Sequence, residues 1–264
     1  MLFRSSAVPT PDLDRQDLRA RVLDLVASGD VAALEALLPD LQPRDVGDVL
    51  TSLEEDDRVA LIRALPVQLA SEALAEMEEH EEAGDLLAAL APVEGAELLH
   101  ELDDDDAADL VAELDPDERR RILDQLPPED AGDIRDLLLF EEETAGRLMT
   151  TSLVAIRADL SAEEAIREVR RQGREVKDFY TVFVFGQDET LLGTVPLDDL
   201  VLAEPSARVA ELVRPPAATV LPETDQEEVG RLMSRYNMVA IAVVDRAGVL
   251  LGRITFDEIG RAHV

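Results

Sequence analysis

Apolar positions in the first half of the chain recur on a short beat. Leu41, Leu53, Leu65, Met77, Leu90, Leu102, Leu114 and Leu126 head successive units, spaced by 12 residues with a single step of 13. A proline or an acidic residue follows, as in Leu114-Asp115-Pro116-Asp117-Glu118 and Leu126-Pro127-Pro128-Glu129-Asp130. Proline suits the first helical position, and carboxylates suit the positive end of the helix dipole. Each unit then carries one stripe of apolar or small residues, such as Val46, Val49 and Leu50, or Val59, Leu61 and Ile62. A helix of ~8 residues does not stand alone in water, so neighbours must bury each other's stripes. The beat therefore predicts an α-helical superhelix of short repeats. Ahead of it, Leu18, Val22, Leu25 and Val26 mark an amphipathic helix stopped by Gly29-Asp30, and Asp30 can cap a further helix over 31–38. Residues 1–16 read as a flexible arm.

The period changes in the second half. Val239 to Val244 is a nearly unbroken apolar run, the pattern of a strand buried on both faces. Asp245-Arg246-Ala247-Gly248 supplies a turn, Val249 to Thr255 a second strand, and Phe256-Asp257-Glu258 opens a helix. Asp225 stands before Val229, Leu232 and Met233, a helix start. An earlier copy precedes this unit. Leu160-Ser161-Ala162-Glu163-Glu164 matches Thr224-Asp225-Gln226-Glu227-Glu228, and 161, 163 and 164 each lie 64 residues before their counterparts. That copy continues with a strand from Phe179 to Phe185, a turn at Gly186-Gln187-Asp188, a strand from Leu191 to Val195 and a helix from Asp198. The predicted class is α plus α/β. The predicted organisation is a helical domain over 17–139 and a tandem pair over 140–264. Within the pair the first copy spans about 147–204, a linker with Pro205, Pro215 and Pro216 spans 205–217, and the second copy spans 218–264.

Charge narrows the choice of partners. The chain has 25 Lys+Arg against 59 Asp+Glu, a net charge of -34. Nucleic acid and anionic lipid are poor partners for such a surface. Self-repulsion of this size destabilises a compact state, and divalent cations offset it. Asp103-Asp104-Asp105-Asp106-Ala107-Ala108-Asp109 packs five carboxylates into seven residues. Asp103 and Asp104 suit the helix cap. Asp105 and Asp109, four apart, share a helix face, where their repulsion costs a few tenths of a kcal/mol unless a cation sits between them. Glu72 is a further candidate on periodicity. A salt-adapted acidic surface accounts for the same composition without any specific ligand. With no cysteine there is no disulfide framework and no thiolate site. His80, His100 and His263 are scattered and no Gly-rich phosphate loop occurs, so no catalysis is expected. No apolar run reaches the ~20 residues that cross a bilayer, and the start lacks a signal-like core, so the chain is expected to be soluble and not inserted in a membrane.

Gly252-Arg253-Ile254-Thr255 followed by Asp257 and Glu258 resembles the motif of a CBS module, with Arg253 in an apolar place and Glu258 in the place of Asp. The first copy has Gly193-Thr194-Val195-Pro196-Leu197-Asp198-Asp199, where Pro196 lacks the hydroxyl and Asp199 keeps the acceptor. The resemblance implies an adenine nucleotide such as ATP as a ligand, with Asp199 and Thr255 as its candidate contacts. Asp198 and Thr181 stand where some ATP-binding members have arginine and tyrosine, which argues against it. The whole order is a helical repeat, then the junction Phe140-Glu141-Glu142-Glu143-Thr144-Ala145-Gly146-Arg147-Leu148-Met149-Thr150, then two copies with Thr224-Asp225-Gln226-Glu227-Glu228-Val229. It resembles the cytosolic half of MgtE-type magnesium transporters. That resemblance implies several Mg²⁺ ions bridging the two regions and holding a closed state. By position, Glu72, Asp105 and Asp109 would serve from the helical side. Asp225, Glu227, Glu258, the Ser234 carbonyl and Asn237 would serve from the CBS side. The family commonly has Asp where Asn237 and Glu258 stand, and Arg261 replaces an acidic residue. The resemblance further implies a homodimer through the CBS pairs, a connecting helix and membrane pore that this chain lacks, and a place at the cytoplasmic face of the membrane. The other reading of the same residues is an adenine-nucleotide-sensing CBS module whose helical solenoid docks a protein.

Overall fold

A computed structural model describes residues 20–22, 24–25, 28, 42–77, 80–174, 176, 179 and 181–261. The expected arm over 1–16 and the helix expected over 31–38 lie outside the described residues. Residues 20–22, 24–25 and 28 are helical, within the first expected helix.

The helical repeat follows its predicted beat. The helices are α1 (Pro43–Thr51), α2 (Glu55–Ala64), α3 (Val67–Ala75), α4 (His80–Ala89), α5 (Pro92–His100), α6 (Asp104–Ala112), α7 (Pro116–Leu123) and α8 (Pro128–Leu137). Proline begins α1, α5, α7 and α8, and acidic residues fill the first turns of α2, α6, α7 and α8. Leu53, Leu65, Met77, Leu90, Leu114 and Leu126, at the joints, are all buried. Their recurrent burial is why the beat shows so clearly in the sequence.

The described chain forms two compact units. The first comprises the described residues up to 102 together with 113–122, the second residues 103–112 and the described residues from 123 onward. In the first, alternate helices stack, α1 on α3 on α5, and α2 on α4. Its core includes Leu50, Leu61, Leu74, Met77, Leu86, Leu87 and Leu99. Arg58 ties a joint together, donating from Nε to the Leu53 carbonyl at 2.9 Å and meeting Glu82 at 2.8 Å.

In the second unit, α6 packs on α8. The rest is two similar α/β copies. The first contains α9 (Ala145–Leu148), β1 (Ala155–Arg157), α10 (Ala162–Gln172), β2 (Thr181–Phe185), β3 (Leu191–Pro196) and α11 (Leu197–Leu202). After α12 (Val209–Leu212), the second contains β4 (Thr219–Val220), α13 (Gln226–Tyr236), β5 (Ala240–Val244), β6 (Leu250–Thr255) and α14 (Phe256–Arg261). Each sheet has a parallel outer pair and an antiparallel hairpin, in the orders β1-β2-β3 and β4-β5-β6. The short strands β1 and β4 and the helix α12 within the linker carry too few residues to leave a period in the sequence. Val182, Val184, Val195 and Leu200 sit in the core of the first copy. Ser161 caps α10 and Asp225 caps α13, each side chain accepting from a backbone N–H of the first turn.

The copies hold each other through exchanged lead segments. Thr150, on the way into the first copy, bridges to Arg253 on β6 of the second. Arg214, on the way into the second, bridges to Thr194 on β3 of the first. Thr144 pairs with Asp225 and Ser161 with Arg208 in the same reciprocal fashion. These contacts demand glycine. A Cβ on Gly193 would lie 2.2 Å from the Arg214 carbonyl oxygen, and one on Gly252 would lie 2.8 Å from that of Thr150. Phe183, Ala242 and Val244 form a small apolar cluster where the two sheets meet. Thr190 pairs with Val249 beside it. The offset of 64 between copies at 161 and 225 becomes 59 at 190 and 249, so the first copy is longer between α10 and β2.

Candidate metal centre

The acidic run at the start of α6 divides into three different environments. Asp104 is not a cap for its own helix. Its carboxylate accepts from the hydroxyls of Thr150 and Thr151 and from the Thr151 N–H at 3.0 Å. Thr150 in turn exchanges two backbone hydrogen bonds with Arg253, of 2.9 and 3.0 Å. Asp104 thus fastens α6 to the lead segment of the first copy and, through it, to β6.

Asp109 faces a cation that belongs to the chain. The Arg147 Nη2 lies 2.9 Å from its Oδ1 and also donates to the Ala108 carbonyl at 2.8 Å. The helical spacing places Asp105 and Asp109 on one face, yet the countercharge beside Asp109 is this guanidinium from α9.

Asp105 is the carboxylate of this run with an unsatisfied oxygen, and Nη1 of Arg147 is likewise buried without a hydrogen-bond partner. Asp105 is 4% exposed, and its Oδ1 is buried with no hydrogen-bond partner. Burial pushes its carboxyl well above the usual range, and repulsion from Asp106, Glu258, Asp104 and Asp103 adds to this. Glu258, half-buried on α14, therefore comes into the neighbourhood of Asp105, two candidates that are 153 positions apart in the chain. Asp133 on α8 is also raised, first by burial and then by Asp104 and its own helix's carboxylates.

Each of the other candidates has contacts of its own. Asp225 caps α13, its Oδ1 accepting from the Glu227 N–H at 2.9 Å. Glu227 is exposed and pairs with Arg231 at 2.6 Å. Ser234 and Asn237 end the same helix. Asn237 is its left-handed C-cap, with φ 50°, and donates its N–H toward the Ser234 carbonyl. Glu72 is half-buried on α3 of the first unit, with Gln68 Nε2 at 3.3 Å. Among the described residues, no three His, Cys, Asp or Glu side chains come close enough together to form a ready-made protein cage for a metal. The carboxylate oxygens of Asp105 and Glu258 are of the donor type that hard cations such as Mg²⁺ take.

The nucleotide candidates are also placed. Asp199, on α11, is ion-paired with Arg214 of the lead segment. Thr255 ends β6 opposite Ala240. Arg253, which breaks the apolar motif, is buried, and its Nε donates to the Ser152 carbonyl at 3.0 Å.

Sequence reasoning missed Arg147, Thr150 and Thr151. The signal for Arg147 was its position between Gly146 and Leu148 in an otherwise apolar stretch, Ala145 to Met149, where a buried arginine needs a partner.

Comparison with known proteins matches residues 41–143 to the MgtE intracellular N domain and residues 145–206 and 209–263 to the CBS domain. The chain is 34% identical over 246 residues to a magnesium transporter MgtE of Thermus thermophilus, covering 92% of this chain and 55% of that protein. It is 42% identical over 214 residues to a magnesium transporter MgtE of Enterococcus faecalis, covering 81% and 47%. The chain thus spans about half the length of the curated relatives it matches. Among solved structures it is similar to the cytosolic domain of the Mg²⁺ channel MgtE in complex with ATP, with a TM-score of 0.86 and 33% identity, covering 92% of this chain and 99% of that one.

Proposed function

This chain belongs to the MgtE family, of which it carries the intracellular N domain and the CBS pair, and on that premise we propose that it is the Mg²⁺-sensing, cytoplasmic part of a magnesium transporter. Mg²⁺ bound between carboxylates of the helical and CBS regions holds a closed state. When Mg²⁺ falls, repulsion among those carboxylates favours separation, and a pore outside this chain opens. The role is regulatory and not catalytic.

The observation that carries this reading is Asp105: a buried carboxylate with an orphaned oxygen, surrounded by like charges that include Glu258. Water is largely excluded there, so a small dication offsets both the lost hydration and the repulsion. Asp225, Glu227, the Ser234 carbonyl, Asn237 and Glu72 are the further proposed ligands, each contributing one oxygen to a hydrated ion. Sites of this kind bind weakly one by one, and each occupied at tenfold its dissociation constant adds about 1.4 kcal/mol to the closed state. Several together approach the ~5.5 kcal/mol of a full switch. The proposed assembly is a homodimer through the CBS pairs, supported by the exposed Val201, Leu202, Val239 and Phe256.

Small-angle scattering across a millimolar Mg²⁺ titration at constant ionic strength tests the reading. Compaction by Mg²⁺, reversed by EDTA and not reproduced by monovalent salt, is expected. An unchanged radius of gyration, or an equal response to monovalent salt, refutes it. The likeness to an ATP-bound relative favours a second reading, an adenine nucleotide held near Asp199 and Thr255. For that, Arg214 must release Asp199, and calorimetry with ATP, ADP and AMP on wild type and Asp199→Ala decides it.

A further inference from the structure

We propose that the exposed arginine face of α10, made by Arg167, Arg170, Arg171 and Arg174, docks on the anionic headgroups of a lipid bilayer and turns the first copy toward the membrane.

The helix is amphipathic. Ala162, Ala165 and Val169 are buried, and the four arginines, spaced i, i+3, i+4 and i+7, are all exposed. Three of them lie on the side of the helix opposite those buried residues, and Arg174 follows two positions beyond its end. From 167 to 174 a single carboxylate, Glu168, accompanies them. It pairs with Arg171 at 2.5 Å.

The acid excess of the chain makes this face unusual. With 59 Asp+Glu against 25 Lys+Arg, an exposed arginine finds a carboxylate readily. Arg63, Arg135 and Arg246 do so with Glu94, Asp124 and Glu223. Arg167 has Glu164 within electrostatic reach. Arg170 and Arg174 have no carboxylate partner among the described residues. Two cations left over in so acidic a chain call for an anion that the chain does not supply. Arginine near a helix C-terminus also complements the dipole, but α13 shows how little that requires. Its Arg235 stands 64 residues after Arg171, whereas Ser234 and Met238 stand 64 residues after Arg170 and Arg174. The same helix end is therefore built without the two unpaired arginines.

The choice of a bilayer rests on the reading of this chain as the cytoplasmic part of a membrane transporter, since the cytoplasmic leaflet is anionic. Guanidinium groups match phosphate oxygens in pairs. These four run ~10 Å along the helix, a line that an array of headgroups meets and one free phosphate does not. A net charge of -34 keeps the surface as a whole away from such lipid. Carboxylates more than a Debye length from the contact, about 8 Å, are screened from it. Only a face with its own excess of cations can approach, so the arginines also set which way the first copy turns.

Co-sedimentation of the whole 264-residue chain with vesicles tests this, in EDTA and at about 0.15 M ionic strength. Binding to vesicles of phosphatidylglycerol and phosphatidylcholine is expected, and none to phosphatidylcholine alone. Arg170→Gln with Arg174→Gln should weaken it about 25-fold, roughly fivefold for each arginine. Arg170→Lys with Arg174→Lys should retain it. Both positions are exposed, so circular dichroism and urea denaturation of either variant should match the wild type. Absence of binding, equal binding to both vesicle types, or undiminished affinity of the glutamine variant overturns the proposal. So does displacement by millimolar inorganic phosphate, which marks a single-anion site. Loss of self-association by the glutamine variant in sedimentation velocity, with its vesicle binding intact, places a second copy on this face and overturns it too. Failure of the Mg²⁺ reading shows elsewhere, as scattering that ignores Mg²⁺, and leaves the vesicle result in EDTA untouched.

Discussion

Asp105→Asn keeps the shape of the side chain and removes its charge. In the folded chain the carboxyl group is 4% exposed, lacks a partner at Oδ1, and is held well above the usual range by burial and then by Asp106, Glu258, Asp104 and Asp103. The folded state therefore retains a proton that the unfolded state has already released. Between the ordinary aspartate value, about 3.9, and the raised one, the unfolded chain binds one proton fewer, so stability falls as pH rises. The slope is about 1.4 kcal/mol per pH unit. Below that window the group contributes nothing, and above it the loss is complete. Asparagine has no proton to release. In EDTA the variant should be more stable than wild type at neutral pH, by an amount that shrinks toward zero as pH falls to about 4. An unpaired amide would cost ~1–3 kcal/mol, but the surrounding carboxylates offer acceptors, so that loss is small. Mg²⁺ reverses the order. At tenfold its dissociation constant the ion adds about 1.4 kcal/mol to the wild type and much less to the variant. Urea denaturation followed by circular dichroism, with and without Mg²⁺ and at two pH values within and below the window, measures all of this. A stability difference that is constant with pH, together with equal gains from Mg²⁺, would refute the account of Asp105.

Other outcomes follow from the packing and the caps. Gly252→Ala places a Cβ 2.8 Å from the Thr150 oxygen and 2.9 Å from the Met149 sulfur, and should cost about 1–3 kcal/mol in urea denaturation. Gly193→Ala meets the Arg214 carbonyl at 2.2 Å and a positive φ besides, so it should cost more than Gly252→Ala in the same assay. Asp225→Asn should keep the stability of α13, since asparagine caps as well as aspartate, while weakening the Mg²⁺ response in scattering. Asp225→Ala should lose about 1 kcal/mol in addition. Phe183→Ala, which empties the cluster between the sheets, should cost about 3–5 kcal/mol and be read by the same denaturation.

Much of the fold was legible because burial repeats. Leu53, Leu65 and Met77 end one helix and seal it against the next, so each unit had to place an apolar residue at the same point. The hairpins were legible in Val182 to Val184 and Ile241 to Val244, which are buried on both faces. Their edges were not. Val239 continues the apolar run but is exposed, and β5 begins only at Ala240. The exchanged bridges were hidden because Thr150 and Arg253 have no local pattern and meet across 103 positions. In the candidate site, the spacing of Asp105 and Asp109 correctly gave a shared helix face but could not show what faces it. Arg147 approaches Asp109 from a different helix, and Glu258 approaches Asp105 from the far end of the chain. Helical periodicity describes only the surface that one helix presents, and the chemistry here is settled by what other elements bring to it.

The reciprocal crossing of the lead segments has a consequence for how such a pair arose and how it breaks. A solitary half would leave its third strand unsealed, with backbone donors and acceptors open to any passing chain. Here the leader of the twin closes it. Single halves are therefore expected to self-associate by trading leaders, and joining two of them in one polypeptide turns that trade between molecules into a clasp within one.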